Sequence, residues 1–356
     1  MNHAELTDAL RACASDAFPA QGLDLLRHEG LTDPARIATL VAPREGAPPQ
    51  MCDLLIALGR ADLALGRIYE GHVNAIGLIA RLASAAQRER LLDMARLGGL
   101  FGVWGADDRA SPACLRKGRL HGRKVYASGA SHLALALIPV RDDADRMVLV
   151  LADRKTLEGR FDTSWWKPLG MERTDSHAVD LEGTVVDEAD VLGAPGRYLD
   201  QPFFGGGAIR FVAVQLGGLL AVWDATRAHL ADTRRHADPH QAARLGEMLA
   251  DAEAAYAAVR AAYRRIAPAI AWQDAAASPE AALIADAART HLVQAGARVL
   301  DLAQRSVGCP GLMAGHRLER VLRDLSVYLR QPAPDAALCR AGTAAAEGRY
   351  VPLFDA

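Results

Sequence analysis

Few side chains in this sequence stand where chemistry would need them, and the most suggestive run lies near the C-terminus. In RDLSVYLRQPAPDAAL, Arg323 to Leu338, an Arg-Asp pair opens a helical stretch that runs into Gln331, Pro332, Ala333 and Pro334. A helix that delivers a general base ends on a carboxylate or an imidazole, and Gln331 cannot take a proton. Asp335 follows the prolines, either as a base or as the acid that begins a new helix. Other constellations are thinner. His236 and His240 flank Asp238, but Pro239 interrupts any helix that would align them. His316 and Glu319 supply two ligands where a zinc site takes four, so no metal site is expected. Phe203-Phe204-Gly205-Gly206-Gly207 lacks the Lys-Ser/Thr of a phosphate loop, and the chain has neither GxGxxG nor GxSxG.

The elements that must position these residues fall into three blocks. From Ala4 to about Leu97 apolar residues recur at steps of three and four, which predicts helices, with Asp33-Pro34 as a cap and first-turn proline and Pro48-Pro49 as a break. After Gly98-Gly99 come short apolar or alternating runs bounded by Gly, Pro, Asp and Ser, as strands are. His121-Gly122 in GRLHGRKVYASG reads as a tight hairpin turn between two of them. Beyond Gly193-Ala194-Pro195-Gly196 the helical period returns. Leu245, Leu249, Ala252, Tyr256, Val259, Tyr263 and Ile266 predict one bundle seam, and Ile284, Ala288, Leu292, Ala295, Val299 and Leu302 a second, with Ser278-Pro279 between. The expected fold is α+β and mainly α. It comprises an N-terminal helical domain over residues 1–98, a central β-barrel-like or sandwich domain over 99–198 and a C-terminal antiparallel four-helix bundle over 199–356.

The 356 residues carry a formal net charge of −2. Without a basic block there is no electrostatic footprint for nucleic acid or an anionic membrane. Five cysteines, widely spread and never in a CxxC pair, predict a reducing cytoplasm without disulfides or zinc. The longest apolar run, Phe211 to Trp223, falls short of a bilayer span, and the N-terminus does not read as a signal peptide. Small-molecule or protein partners fit better.

The block order and several local strings resemble the acyl-CoA dehydrogenase family of FAD flavoproteins over nearly the whole chain. KPLGMERTDSHAVDLEGTVVDEADVLGAPGRY, Lys167 to Tyr198, is similar to the segment that ends that family's β domain. GRKVYASGASHLALALIPV resembles its G-x-K-x-x-I-T-N hairpin, LGRADLALGRIYEGHVNAIGLI an N-terminal helix pair, and SVGCPGLMAGHRLERVLRDLSVY its glycine turn and Arg-Asp helix. The resemblance implies a homodimer or homotetramer with one FAD per subunit between the β domain and the bundle. It also implies an acyl-thioester substrate that loses an α-proton to a carboxylate and a β-hydride to the flavin.

Carried over residue by residue, the resemblance places Trp104 where the family's first flavin-contact string lies, though the hydroxyl and glutamate of that string are missing here. Tyr126, Ala127 and Ser128 take the place of its W-I-T triplet, so Ser128 either meets the flavin ring or caps the turn into Gly129. Thr174 and Ser176 fall on a polar pair facing the cofactor, with Trp165-Trp166 before them. Arg234 stands for an arginine that reaches FAD pyrophosphate across a subunit contact, and Gly308 and Gly311 for the glycine turn on the adenosine side. The departure is the base. One family branch has its glutamate where Gln331 and Pro332 stand, another where Ile209 precedes Arg210; Asp335 is the remaining acid nearby. Three functions follow: an acyl-thioester dehydrogenase with an unusual base, with an electron acceptor or reductase as partner; a flavin monooxygenase, which needs no α-proton base; or a catalytically silent binding homologue.

Overall fold

The helical period of the first block becomes six helices in the computed structural model, which describes residues 2–13, 19–42, 49–271, 280–331, 333–352 and 354–355. They are α1 (His3–Ala12), α2 (Ala20–His28), α3 (Pro34–Val41), α4 (Gln50–Ala61), α5 (Leu63–Leu82) and α6 (Ala85–Arg96). Asp33 accepts from the backbone N–H groups of Ala35 and Arg36 with Pro34 in the first turn, as the sequence predicts. Asp62 ends α4 and starts α5, its carboxylate accepting from Leu65 N–H at 2.9 Å. Pro48, Ser278, Pro279 and Pro332 lie outside the described residues.

Ten strands follow: β1 (Phe101–Val103), β2 (Cys114–Arg116), β3 (Arg119–His121), β4 (Arg123–Ala127), β5 (Leu135–Arg141), β6 (Met147–Asp153), β7 (Phe161–Asp162), β8 (His177–Asp180), β9 (Thr184–Val185) and β10 (Val191–Leu192). A seven-stranded sheet has the order β10-β6-β5-β2-β3-β9 with β1 parallel to β5, and a second sheet runs β4-β8-β7. The expected hairpin at His121-Gly122 does not form. β3 pairs with β2 and β4 with β8, so Gly122, at φ +80°, carries the chain from one sheet to the other. The tight turn is Lys117-Gly118, where both residues have positive φ, the geometry that suits the twist of paired strands.

The last block holds α7 (Phe203–Gly206), α8 (Ile209–Asp232), α9 (Pro239–Ile266), α10 (Ala281–Val307), α11 (Glu319–Tyr328) and α12 (Pro334–Ala346). The α10 seam is buried at all six expected positions. On α9 the buried stripe runs through Met248, Ala252, Ala255, Val259, Tyr263 and Ile266, leaving Leu249 exposed. The ion pairs Arg265–Glu280 and Arg298–Asp251 tie α9 to α10 in opposite sequence order, so these helices are antiparallel. α8 is wrapped by α4, α9 and α10. The stretch Phe203–Asp232 is apolar and long enough to cross a membrane, yet 72% of its most apolar window is buried inside the protein, as a core helix would be. The molecule is mostly helical, with a curled β unit between helical parts.

Candidate functional site

The Arg323-Asp324 pair fastens the β unit to the helices. Met171 N–H donates to Asp324 Oδ1 at 2.5 Å, and Arg323 Nη1 donates to Leu169 O at 2.9 Å. Gly170 sits so close to α11 that a Cβ there would lie 2.2 Å from Arg323 O. Burial pushes the Asp324 carboxyl up to about 6, and nearby Asp62 adds to this; the Met171 N–H, Arg320 and Arg323 act in the opposite direction. Burial also raises Asp62, against the pull of Arg320 at 3.6 Å. The pair that suggested delivery of a base is therefore a clamp.

What the clamp holds is a chain of hydroxyls. Thr174 Oγ1 donates to Met171 O at 2.7 Å and lies 2.7 Å from Ser176 Oγ, which is 2.9 Å from Ser128 Oγ. Each hydroxyl has one proton. Thr174 spends its proton on the carbonyl, so Ser176 donates to Thr174 and Ser128 donates to Ser176. Ser128 is thereby left with lone pairs at the half-buried end of the chain, as an acceptor. Thr174 and Ser176 are buried in a 3-10 turn and its exit, not exposed on a strand.

Trp104 lies beneath this chain. Its indole N–H donates to Ser128 O at 3.2 Å, its backbone N–H donates to Leu137 O at 3.0 Å, and its ring is buried edge-on to Phe161. Both of its N–H groups serve the protein, so it supports Ser128 from the core. Beside Ser128 the exposed Tyr126, at φ +53°, meets Trp165 and Trp166 edge-on at 5.0 and 6.0 Å, and the two indoles stack at 6.2 Å.

Across from the hydroxyls, α5 passes with Ile68 against Gly129. Sequence reasoning missed the polar residues on this helix. Arg67 Nη1 donates to Glu70 Oε2 at 2.5 Å, and Asn74 Nδ2 donates to the other Glu70 oxygen. Arg210 of α8 donates to Asn74 Oδ1 at 2.9 Å. Tyr263 of α9 lies beside Arg210, and Tyr328 of α11 beside Arg67 and Glu70. Burial pushes both phenols up, so both hold their protons. The available signal was the Arg67, Glu70, Asn74 spacing of three and four on a mainly apolar helix, which puts them on one face.

The two base positions carry no acid. Ile209 is fully buried, the Gln331 carbonyl accepts from Arg289, and Asp335 is exposed in the first turn of α12. Arg234 is exposed at φ +59° in the turn after α8; Gly308 caps α10, and Gly311 packs on Val307 and Leu318. His316 to His229 at 3.1 Å and Arg317 to Asp232 at 2.9 Å hold the 309–318 segment at that same end of α8. Within one chain, then, Trp104, Ser128, Thr174 and Ser176 meet, while Arg234, Gly308 and Gly311 gather at the end of α8 opposite Arg210. Among the described residues no cluster of three His, Cys, Asp or Glu could hold a metal ion.

No protein-family model matches the chain. It is 26% identical over 235 residues to a dibenzothiophene monooxygenase of Rhodococcus erythropolis, covering 61% of this chain and 54% of that protein. A dibenzothiophene monooxygenase of Mycolicibacterium goodii is 26% identical over 166 residues, 43% and 40% of the two chains. The chain spans about half the length of the curated relatives it matches. Among solved structures, FMN-bound TdsC from Paenibacillus sp. A11-2 superposes with a TM-score of 0.82 at 18% identity, covering 99% of this chain and 98% of that one. Methanesulfinate monooxygenase MsuC from Pseudomonas fluorescens gives 0.80 at 20%, covering 99% and 98%. KijD3 in complex with FMN and a dTDP-sugar gives 0.79 at 20%, covering 98% and 92%. What this chain shares with these three solved structures over nearly its whole length is their fold, the acyl-CoA dehydrogenase-like one.

Proposed function

We propose that this protein is a flavin-dependent monooxygenase that uses FMN reduced by a separate reductase, not an acyl-CoA dehydrogenase. The observation that carries the reading is the hydroxyl chain ending in an acceptor at Ser128, in a site with no acid at the dehydrogenase base positions Ile209 and Gln331. Abstracting a feebly acidic α-proton requires a positioned base, worth about 10² to 10⁴ in rate. Oxygen transfer has no such requirement. The monooxygenase names of the relatives support the same reading, and FMN in TdsC and KijD3 supports FMN over the expected FAD.

The residues fit a flavin ring. Tyr126, Trp165 and Trp166 offer an aromatic shelf for a flat apolar body, and Ser128 a hydrogen-bonding edge beside it. Reduced FMN, when bound, activates dioxygen and supplies one oxygen atom to the substrate, the other leaving as water. The protein's share is positional. Thr174 and Ser176 fix the direction of the Ser128 hydroxyl, so its lone pairs accept a ring N–H rather than competing with it. The Arg323-Asp324 clamp keeps that hydroxyl against the helices, and buried α5 and α8 exclude water. FMN lacks the adenosine half that Gly308 and Gly311 would meet but keeps a phosphate, so Arg234 stays the candidate to fork phosphate oxygens across a subunit contact.

The test is to load the protein with FMN, reduce it through a flavin reductase and NADH, and supply ¹⁸O₂ with a panel of neutral and anionic aromatic and organosulfur compounds, among them indole, dibenzothiophene and benzenesulfinate. Labelled product is expected, together with slower hydrogen peroxide release than from free reduced FMN. Peroxide release at the free-flavin rate, combined with anaerobic bleaching of the oxidised protein by an acyl-CoA, would overturn the reading in favour of a dehydrogenase.

A further inference from the structure

The helical side of the site is more polar than an uncharged aromatic substrate requires. Two buried polar atoms there, Tyr328 Oη and Gln215 Oε1, have no hydrogen-bond partner, and Arg210 Nε and Tyr263 Oη have none beyond the contact between these two side chains. Three of the four are donors. The charges do not cancel either. Arg67 is matched by Glu70 at 2.5 Å, whereas the partners of Arg210, Asn74 and Tyr263, are both neutral. Arg81, nearby on α5, is spread over the Phe203 ring and reaches Asp200 only at 4.0 Å. A buried guanidinium without a carboxylate, next to phenol donors without acceptors, is costly unless something supplies the missing acceptor. Dibenzothiophene, in the relatives' names, has no oxygen to supply.

We propose that Arg210, Tyr263 and Tyr328 bind the oxyanion of a small organic substrate, a carboxylate or sulfinate, and so set this protein's substrate class. The inference rests on the monooxygenase reading in calling the ligand a substrate; the anion site itself stands on a buried guanidinium with no carboxylate and on phenol protons with no acceptor. Tyr263 of α9 meets Arg210 of α8, and Tyr328 of α11 lies beside Arg67 and Glu70, to which Arg210 is joined through Asn74. Arg67 is partly exposed and Asn74 half-buried, which opens the cluster on the α5 side, where Ile68 meets Gly129 next to Ser128. A substrate anchored here by its anion directs its other end toward the Ser128 hydroxyl. Gln215, whose Nε2 donates to Tyr328 O at 2.7 Å, leaves an oxygen for a protonated or hydroxylated neighbour on the same substrate.

Calorimetric titration of the FMN-free protein with benzoate, benzenesulfinate and indole tests the site without oxygen or flavin. Its failure is thereby separate from failure of the labelling experiment above. The anions are expected to bind at least tenfold more tightly than indole, the worth of one charge-assisted hydrogen bond. Arg210→Gln should lower anion affinity about ten- to a hundredfold and Arg210→Lys less. Tyr263→Phe and Tyr328→Phe delete one oxygen each without changing shape, so they decide the matter if Arg210→Gln does not fold. Indole binding as tightly as benzoate, or anion affinity unchanged in both Phe variants, would overturn the proposal.

Discussion

At the scale of single residues, proton direction and burial carry the argument. Ser128→Ala removes the one acceptor that the Thr174–Ser176 chain orients. Losing a charge-assisted or ring hydrogen bond of about 1.5 to 3 kcal/mol should cut oxygen transfer roughly ten- to a hundredfold. Peroxide yield per NADH should rise, while Ser128→Thr keeps most of the coupling. Asp324 makes a pH prediction. Its folded carboxyl sits at about 6, above the ordinary value of 3.8, so the folded protein holds a proton that the unfolded chain has released. The slope of stability with pH is then negative. Wild type should lose about 2 to 3 kcal/mol relative to Asp324→Asn as pH rises from about 4 to about 7, since each unit is worth about 1.4 kcal/mol. The asparagine still accepts from Met171 N–H. Paired denaturation curves across that range check the sign; a gap that widens toward acid in favour of the variant refutes it.

At the scale of elements, the α4–α8 crossing is set by absent side chains. A Cβ on Gly217 would lie 2.2 Å from Ile56 O and 2.6 Å from Arg60 N, both backbone atoms that cannot rotate away. Alanine is the better helix former by about 1 kcal/mol, yet forced separation of two buried helices costs about 1 to 3 kcal/mol or more. The overlap wins, so Gly217→Ala should lower the melting temperature, whereas Gly246→Ala, with nothing within 4 Å, should not. The same elements show how far pattern reading reaches. The α10 seam was legible because Ile284, Leu292, Val299 and Leu302 dominate one face. The α9 stripe was displaced from Leu249 to Met248 and Ala255, because an alanine-rich helix leaves several faces equally apolar. The His121-Gly122 hairpin failed for a different reason. A glycine at positive φ marks a turn without saying whether the next strand pairs back or crosses to another sheet.

At the scale of the whole molecule, the 169–176 loop ties the β unit to α11, beside the contact of β1 with α5, and the proposed flavin site needs that tie. Gly170→Ala should push that loop off α11, since its Cβ would fall 2.2 Å from Arg323 O. FMN affinity is expected to drop about tenfold, roughly 1.4 kcal/mol, with little change in the helical core's thermal transition, because few buried apolar side chains move. Fluorescence titration of FMN alongside calorimetry separates the two. Equal losses in both would place the loop in the core's cooperative unit instead.

The sequence by itself determined the block order, the Asp33-Pro34 cap and the α10 face, because propensity, capping and periodicity are local properties. It also determined that no acid occupies the two base positions of the resembling family. Tertiary structure decided the rest. Only packing could turn Arg323-Asp324 from a pair that announces a base into a clamp on Leu169 and Met171. Only packing could join Ser128 to Ser176 across 48 residues, or gather Arg67, Glu70, Arg210, Tyr263 and Tyr328 from four helices. Hydrogen bonds between residues distant in sequence leave no periodic trace, because each partner reads locally as an ordinary helix or strand residue.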